Sequence, residues 1–532
     1  MGLETNIDSI RALETQIKEG EGDVIMLKRA RNSLLNISTR VPPEIIGYIF
    51  DWSLVRDPSF HFDGLRKGSY NFLLVCHHWF EIASRTPELW SFWGSTLQDW
   101  KKRHHRSGAT PLDLVLDGGE SDPDVPFDES LQNAVKSRVM QDTIRQVHLR
   151  SCYPDTLTSI ISSLTPDGEG GQNENIESIV WENEVDPTVD ISNFFARSRL
   201  SRLRCLRLYS ELWFSSWDRL VPQTTHLTAL SLGLSMPQSL PTPTAAQLFA
   251  ILTANPNLRN LTLADAALPN DADVSTFKVQ LRNLNTLNLT GECRHIFGVL
   301  RQLIVQEALD DMWLSGSNPT AGDISQTLAP YMRDYFRRDA RFQGRLGVNF
   351  SSSHDTISIV VGVVGTQTVA PGLKAPRVSF RIDDFIPEAL GQLVINLSAL
   401  IPQEHVVSFR AGFSVWPPEE LFFMMPKIEM LHLSDLRLSE GFLQPKRPHA
   451  NTKLFPSLRL LHLEDVVFLN EGDWSHFMTY LVHQTLDGQN ISLVVVGDFP
   501  HDCPEIVNGI NGLVKEFTHF SHSRNSVAEE DE

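Results

Sequence analysis

One local pattern recurs along this chain and constrains its fold more than any other feature. It is an apolar residue, two variable residues, an apolar residue, one variable residue and a further apolar residue. It occurs at Ile144-Val147-Leu149, Ile176-Ile179-Trp181, Leu203-Leu206-Leu208, Leu227-Leu230-Leu232, Leu258-Leu261-Leu263, Leu284-Leu287-Leu289 and Leu309-Met312-Leu314. It returns at Ile428-Leu431-Leu433 and Leu458-Leu461-Leu463. The last two apolar positions of each unit are two residues apart, the spacing that puts both on one face of a β-strand. Successive units of the first run begin 24 to 32 residues apart, and the final pair 30 apart. That leaves room in each unit for a strand and a helical or turn-like return. No single unit can bury its own apolar row, whereas stacked neighbours close a continuous core between them.

Period and pattern together carry the leucine-rich-repeat signal, with insertions in the longer intervals. The expected fold class is therefore α/β, an irregular solenoid. Thr244 to Leu252 reads as an intervening helix with Leu248, Ile251 and Leu252 on one side, and Ile324 to Arg338 as another. Segments 356–364, 377–382 and 405–415 read as strands, and Ile491–Val496 as the last one. The stretch from 315 to 427 fits the repeat poorly and reads as larger units with several strands. The variable positions within the units, such as Arg204, Arg207, Thr262, Asn288, His432 and His462, point outward. They either line an extended surface suited to a protein ligand or are plain solvent-exposed side chains.

The first hundred residues have a different character. Ile10, Leu13, Ile17, Val24, Leu27 and Leu34 form a heptad seam over residues 7–37, interrupted by Gly20 and Arg31. Two short helices or a helical hairpin follow from this, with a coiled-coil dimer as the alternative. Next comes Val41-Pro42-Pro43-Glu44-Ile45-Ile46-Gly47-Tyr48-Ile49-Phe50, with proline in the first helical turn and Ile45, Ile46, Ile49 and Phe50 on one face. A second helix is expected from Tyr70 to Ala83, with Phe72, Val75, Trp79 and Ile82 as its stripe. Thr86-Pro87-Glu88 is a helix-start signal leading into Leu89-Trp90 and Phe92-Trp93. Three short amphipathic helices make a small bundle.

Residues 40–93 resemble an F-box. The likeness rests on Val41 to Ile46 with Ile49-Phe50, on Leu74-Val75-Cys76 with Trp79, and on Ile82-Ala83, Pro87 and Leu89-Trp90. It looks like the fungal F-box-like group, in which these helices precede a leucine-rich-repeat region. Val41 stands where leucine is commoner, and the loop at 56–69 is longer than the minimal motif. The resemblance implies a Skp-family adaptor as partner, joined to a cullin-based ubiquitin ligase. It also implies an adaptor-binding surface of Pro42, Pro43, Ile45, Ile46, Ile49, Val75 and Trp79. Trp79, Ile82, Leu89, Trp90 and Trp93 remain open to a second role, packing the bundle against the first repeats.

Chemistry-bearing motifs are scarce. There is no phosphate-binding G-x-x-x-x-G-K-[ST] loop, no H-E-x-x-H helix and no G-x-S-x-G elbow. Gly168-Glu169-Gly170-Gly171 is a turn, not a dinucleotide loop, and Ser353-His354-Asp355 cannot be a triad because adjacent strand residues point to opposite faces. His501-Asp502-Cys503 lacks a completing ligand, and the five cysteines form no CxxC pair. No catalytic residue, cofactor or metal is expected. The formal net charge of −19 argues against nucleic acid and anionic membrane as partners. Lys101-Lys102-Arg103-His104-His105-Arg106 is the exception, a basic cluster that is a phosphate contact, a nuclear localisation signal or a solvated linker. With no signal peptide and no apolar run of membrane-spanning length, a cytoplasmic or nuclear location is expected.

The expected organisation is a helical segment at 1–40, an F-box-like domain at 41–100, leucine-rich repeats at 101–500 and a C-terminal segment at 501–532, disordered from about Ser521. The expected function is non-catalytic: substrate recognition for a cullin-based ubiquitin ligase, with an unidentified protein as substrate. The alternative is a repeat scaffold unconnected to ubiquitin, its N-terminal helices serving as a cap.

Overall fold

The computed structural model describes residues 9–15, 26–28, 30–31, 41–53, 75, 77–93, 105–117, 129–140, 142–150, 152, 154–165, 171–182, 189–210, 212–234, 242–265, 267–270, 278–305, 309–320, 323–352, 356–364, 376–383, 396, 400–413, 425–434, 437–438, 455–468, 471–485, 490–497 and 504–520. The fold is mixed α/β, and the chain divides into two compact units, Met1–Thr224 and Thr225–Glu532. In each the strands are mostly parallel.

In the first unit, helix α1 (Pro43–Ser53), helix α2 (His77–Arg85) and a 3-10 turn at Pro87–Trp90 come first. They close over a small core of Ile46, Phe50, Ile82, Ala83, Leu89 and Trp90. The chain then enters strands β1 (Phe92–Trp93), β2 (Leu112–Asp117), β3 (Ile144–Arg150), β4 (Ser178–Glu182) and β5 (Cys205–Ser210). These pair in chain order, each parallel to the next. Parallel neighbours need a crossover of a dozen or more residues, and helices α3 (Glu129–Met140), α4 (Pro154–Leu164) and α5 (Ser192–Arg197) lie in those crossovers. The core beneath β4 is aromatic. Trp181 meets Phe194 at 5.3 Å between ring centroids, Phe194 meets Phe195 at 5.2 Å, and Phe214 meets Trp217 at 4.5 Å.

The second unit begins with β6 (Ala229–Leu234), β7 (Asn260–Asp265), β8 (Thr286–Glu292) and β9 (Asp311–Ser317), again parallel and in chain order. Helix α6 (Ala245–Ala254) lies between β6 and β7, and α7 (Cys293–Gln302) follows β8. Thr244 caps α6 in a reciprocal box with Gln247: its hydroxyl accepts from the Gln247 amide, and the Gln247 side chain accepts from the Thr244 amide.

The irregular stretch then rearranges the order. A π-helical turn at Asp323–Leu328 runs into α8 (Ala329–Arg338). Strands β10 (Leu346–Ser352), β11 (Thr356–Val363) and β12 (Arg377–Asp383) form a meander, β11 antiparallel to both neighbours. It enters the sheet backwards: β12 pairs with β9, and β10 pairs with β13 (Val406–Phe413), both in parallel. Strands β14 (Met430–Ser434), β15 (Leu460–Glu464), β16 (Ser492–Val496) and β17 (Glu516–Phe520) complete the parallel series. Helix α9 (Glu471–Thr485) precedes β16 and α10 (Pro504–Leu513) precedes β17.

Every apolar position of the nine recurring units is 4% exposed or less, so the pattern marks the buried face of the sheet in each unit. Three expectations change. Val75 lies in a turn, and α2 starts at His77; the rest of the expected helix, 70–74 and Cys76, lies outside the described residues. Thr86 does not cap the following turn with its side chain; its hydroxyl donates to the Ile82 carbonyl at 2.8 Å, closing the end of α2 instead. The strand at 492–496 is followed by another, β17, which pairs with it. Residues 9–15 are helical, but the Glu19–Gly22 break and most of the heptad seam lie outside the described residues, as does the tail from Ser521.

Candidate functional site

Helix α1 divides its apolar residues between two surroundings. Pro42 supplies the first backbone acceptor, taking hydrogen bonds from the Ile45 and Ile46 amides, and Pro43 fills the first helical position, where a missing N–H costs nothing. Glu44 in that turn complements the helix dipole. Ile46 and Phe50, four residues apart, turn inward at 2% and 1% exposure. Ile45, Tyr48 and Ile49, the opposite i, i+3, i+4 set, stay 47%, 66% and 53% exposed.

On α2, Ile82 and Ala83 are buried and Phe80 is exposed. Trp79 is half-buried, its ring edge-on to Phe50 at 5.0 Å. The Trp90 indole donates to the Ala83 carbonyl at 2.7 Å, and Arg106 lies over the Trp90 ring at 4.4 Å. The last residue of the basic cluster is therefore packed against the module; Lys101 to His104 lie outside the described residues. A groove of about 590 Å³ runs between α1 and α2, with Pro43, Tyr48, His78 and Glu81 among its lining.

Of the seven residues expected on the adaptor surface, Pro42, Pro43, Ile45, Ile49 and Val75 are exposed. Ile46 is not a surface residue: one position on from Ile45, the helical rotation of about 100° carries it into the core. Trp79 packs against that core from its edge. Tyr48 and Phe80 are exposed apolar residues that the sequence comparison with the F-box motif did not single out. Their signal is periodicity, since Tyr48 lies between Ile45 and Ile49 on the same helical face. Trp90 and Leu89 are core residues, and the side chain of Trp93 lies outside the described set.

A second cluster lies in the other unit, on β13, β14 and β15. His432 and His462 occupy matching register positions, their rings parallel within 4° and 4.0 Å apart. His432 Nε2 is 2.7 Å from Glu464 Oε2, and Arg410 Nη2 reaches the same oxygen at 3.2 Å. Burial pushes the His432 imidazole below its ordinary pKa, with His462 and Arg410 acting the same way and Glu464 opposing them. Burial lowers His462 too, against the pull of Glu464 and with help from Arg410.

The other outward positions, Arg204, Arg207, Thr262 and Asn288, are exposed or half-exposed, and Thr262 pairs with Asn288 across β7 and β8. Ser353-His354-Asp355 and His501-Asp502-Cys503 lie outside the described residues, as does Gly168 to Gly170. Cys152 and Cys293 are buried and Cys205 is half-buried. Among the described residues no helix is long and apolar enough to cross a membrane. No protein-family model and no curated protein sequence matches the chain.

Proposed function

We propose that this chain is a substrate-recognition adaptor of a cullin-based ubiquitin ligase. In this reading residues 41–100 are an F-box-like module that docks a Skp-family adaptor, and the parallel strands that follow are a leucine-rich-repeat array that holds a protein substrate. The observation that carries it is the apolar face of α1. Ile45 and Ile49 remain about half exposed although a packed core lies directly beneath them. Covering the rest of each side chain is worth about 1 kcal/mol, and an exposed row of this kind marks a helix-docking surface.

The test is retention of purified adaptor by the folded chain. Wild type is expected to bind, and the Ile45→Asp/Ile49→Asp double variant to lose binding with an unchanged circular dichroism spectrum. A folded wild type that does not retain the adaptor defeats the proposal. Ile46 is excluded from that variant because its change would unfold the module.

A second reading treats the helices as the cap of a repeat scaffold unconnected to ubiquitin. It is favoured by the continuity of the module with the sheet: the Asp113 amide donates to the Ser91 carbonyl at 2.9 Å, and β1 pairs with β2. A cap of that kind would be held to the sheet through β1, as this module is. It offers no account of Ile45, Tyr48 and Ile49 on the outer side.

A further inference from the structure

Strands β14 and β15 are parallel neighbours with His432 opposite His462 and Ser434 opposite Glu464. Side chains alternate along a strand, so His462 and Glu464 share a face, and the register brings His432 beside them. One nitrogen from each imidazole and one carboxylate oxygen lie within 4.8 Å of one another.

We propose that His432, His462 and Glu464 bind a divalent transition-metal ion. A four-coordinate ion with bonds of about 2.0–2.2 Å holds its ligand atoms roughly 3.3 Å apart. The three atoms start within 4.8 Å of one another, so closing to that spacing takes about 1.5 Å of side-chain movement between strands that are already neighbours in one sheet. His462 Nε2 is buried without a hydrogen-bond partner, so metal would satisfy it. His432 Nε2 now meets Glu464 Oε2 at 2.7 Å, and the metal enters between them as the neutral ring takes up the tautomer with its hydrogen on Nδ1.

Arg410 stands opposite His432 on β13 and reaches Glu464 Oε2 at 3.2 Å, so it orients the carboxylate from outside the ligand set. Two imidazoles and one carboxylate suit zinc, copper, nickel or iron and not magnesium or calcium. Three protein ligands leave one position for water. The ion would clip two strands whose ligands are 30 residues apart in the chain, at His432 and His462.

Zinc chloride titrated calorimetrically into tag-free, chelator-treated full-length chain tests this. One equivalent is expected to bind, and excess magnesium chloride is expected not to displace it. His462→Gln and Glu464→Gln are each expected to weaken zinc binding by at least about 10-fold, the lower end of what outer-shell changes alone cost. His226→Gln, an exposed imidazole elsewhere in the unit, is expected to bind as wild type does. The metal-free thermal midpoint separates loss of ligand from loss of fold, and His432→Gln replaces either variant that unfolds. The proposal is overturned if wild type takes up no zinc, if magnesium displaces it, or if His462→Gln and Glu464→Gln hold it as tightly as wild type.

Discussion

Ile45 and Ile46 are chemically identical neighbours with opposite surroundings, 47% and 2% exposed. Truncating Ile46 removes methylenes from the small core shared with Phe50 and Ile82 and leaves a cavity, so Ile46→Ala is expected to cost about 2–5 kcal/mol. Ile45→Ala, at the surface, is expected to stay within about 0.5 kcal/mol. Urea unfolding followed by tryptophan fluorescence reads both, and equal losses would mean that α1 is rotated from the position described. Asp190 carries a different residue-level dependence. Its Oδ1 accepts from the Ser192 amide at 2.8 Å and the Ser215 amide at 3.4 Å, fixing the chain at the start of α5. Partial burial raises its pKa, but the hydrogen bonds from Ser192 and Ser215 outweigh that, and the net shift is downward from the ordinary 3.8. A depressed carboxylate pKa gives stability that is present above the unfolded value and lost as pH falls through the folded one. Asp190→Ala is therefore expected to cost about 1 kcal/mol at neutral pH, below the usual range for a charged hydrogen bond because the carboxylate is partly exposed and screened by solvent. The gap from wild type should close as pH falls below 3.8, and a gap that is constant with pH would remove the carboxylate from this role.

At the scale of elements, the capping box of α6 makes a clean prediction. Thr244→Ala removes the acceptor for the Gln247 amide and is expected to cost about 1 kcal/mol, while Thr244→Asp, which keeps an acceptor, is expected to cost little. Thermal unfolding checks both, and equal midpoints for Thr244→Ala and wild type would mean the box contributes nothing. This helix was legible in the sequence because cap and apolar spacing are both local. So were the nine strands of the recurring units, because alternate burial at Leu261 and Leu263, or Leu431 and Leu433, follows from the period of a strand alone. The start of α2 misled for the same reason: Val75 is four residues before Trp79 and extends the helical stripe on paper, while the chain there turns. Strand β17 was missed because Glu516-Phe517-Thr518-His519-Phe520 has two apolar residues, neither fully buried. The reversed order of β10, β11 and β12, and the meeting of His462 with His432 and Glu464, depend on which strand pairs with which. That is information spread over tens of residues, and periodicity does not carry it.

At the scale of the second unit, the parallel series must end somewhere, and an end exposes unpaired backbone groups. Strand β16 reads Ser-Leu-Val-Val-Val, uncharged and strongly β-forming, which makes it a hazardous edge. Strand β17 covers it: the Lys515 amide donates to the Ile491 carbonyl at 2.8 Å, and the Gly497 amide to the Phe520 carbonyl at 3.0 Å. Among the described residues β17 pairs with β16 alone, and the exposed charges of Lys515 and Glu516 at its start disfavour addition of another strand. Truncation after Gly497 removes α10 and β17 and leaves the valine strand open. The truncated chain is expected to self-associate at concentrations where the full chain does not, as read by light scattering after size-exclusion chromatography. Removing only residues 521–532 is expected to leave the elution volume and the thermal midpoint unchanged. A truncation at Gly497 that stays dispersed and melts with the full chain would mean that β16 already ends the sheet safely and that β17 is dispensable. The same pair of truncated chains in an adaptor pull-down separates the two ends of the protein. The α1 face lies in the other unit, so adaptor binding should survive the C-terminal truncation of whatever fraction remains dispersed.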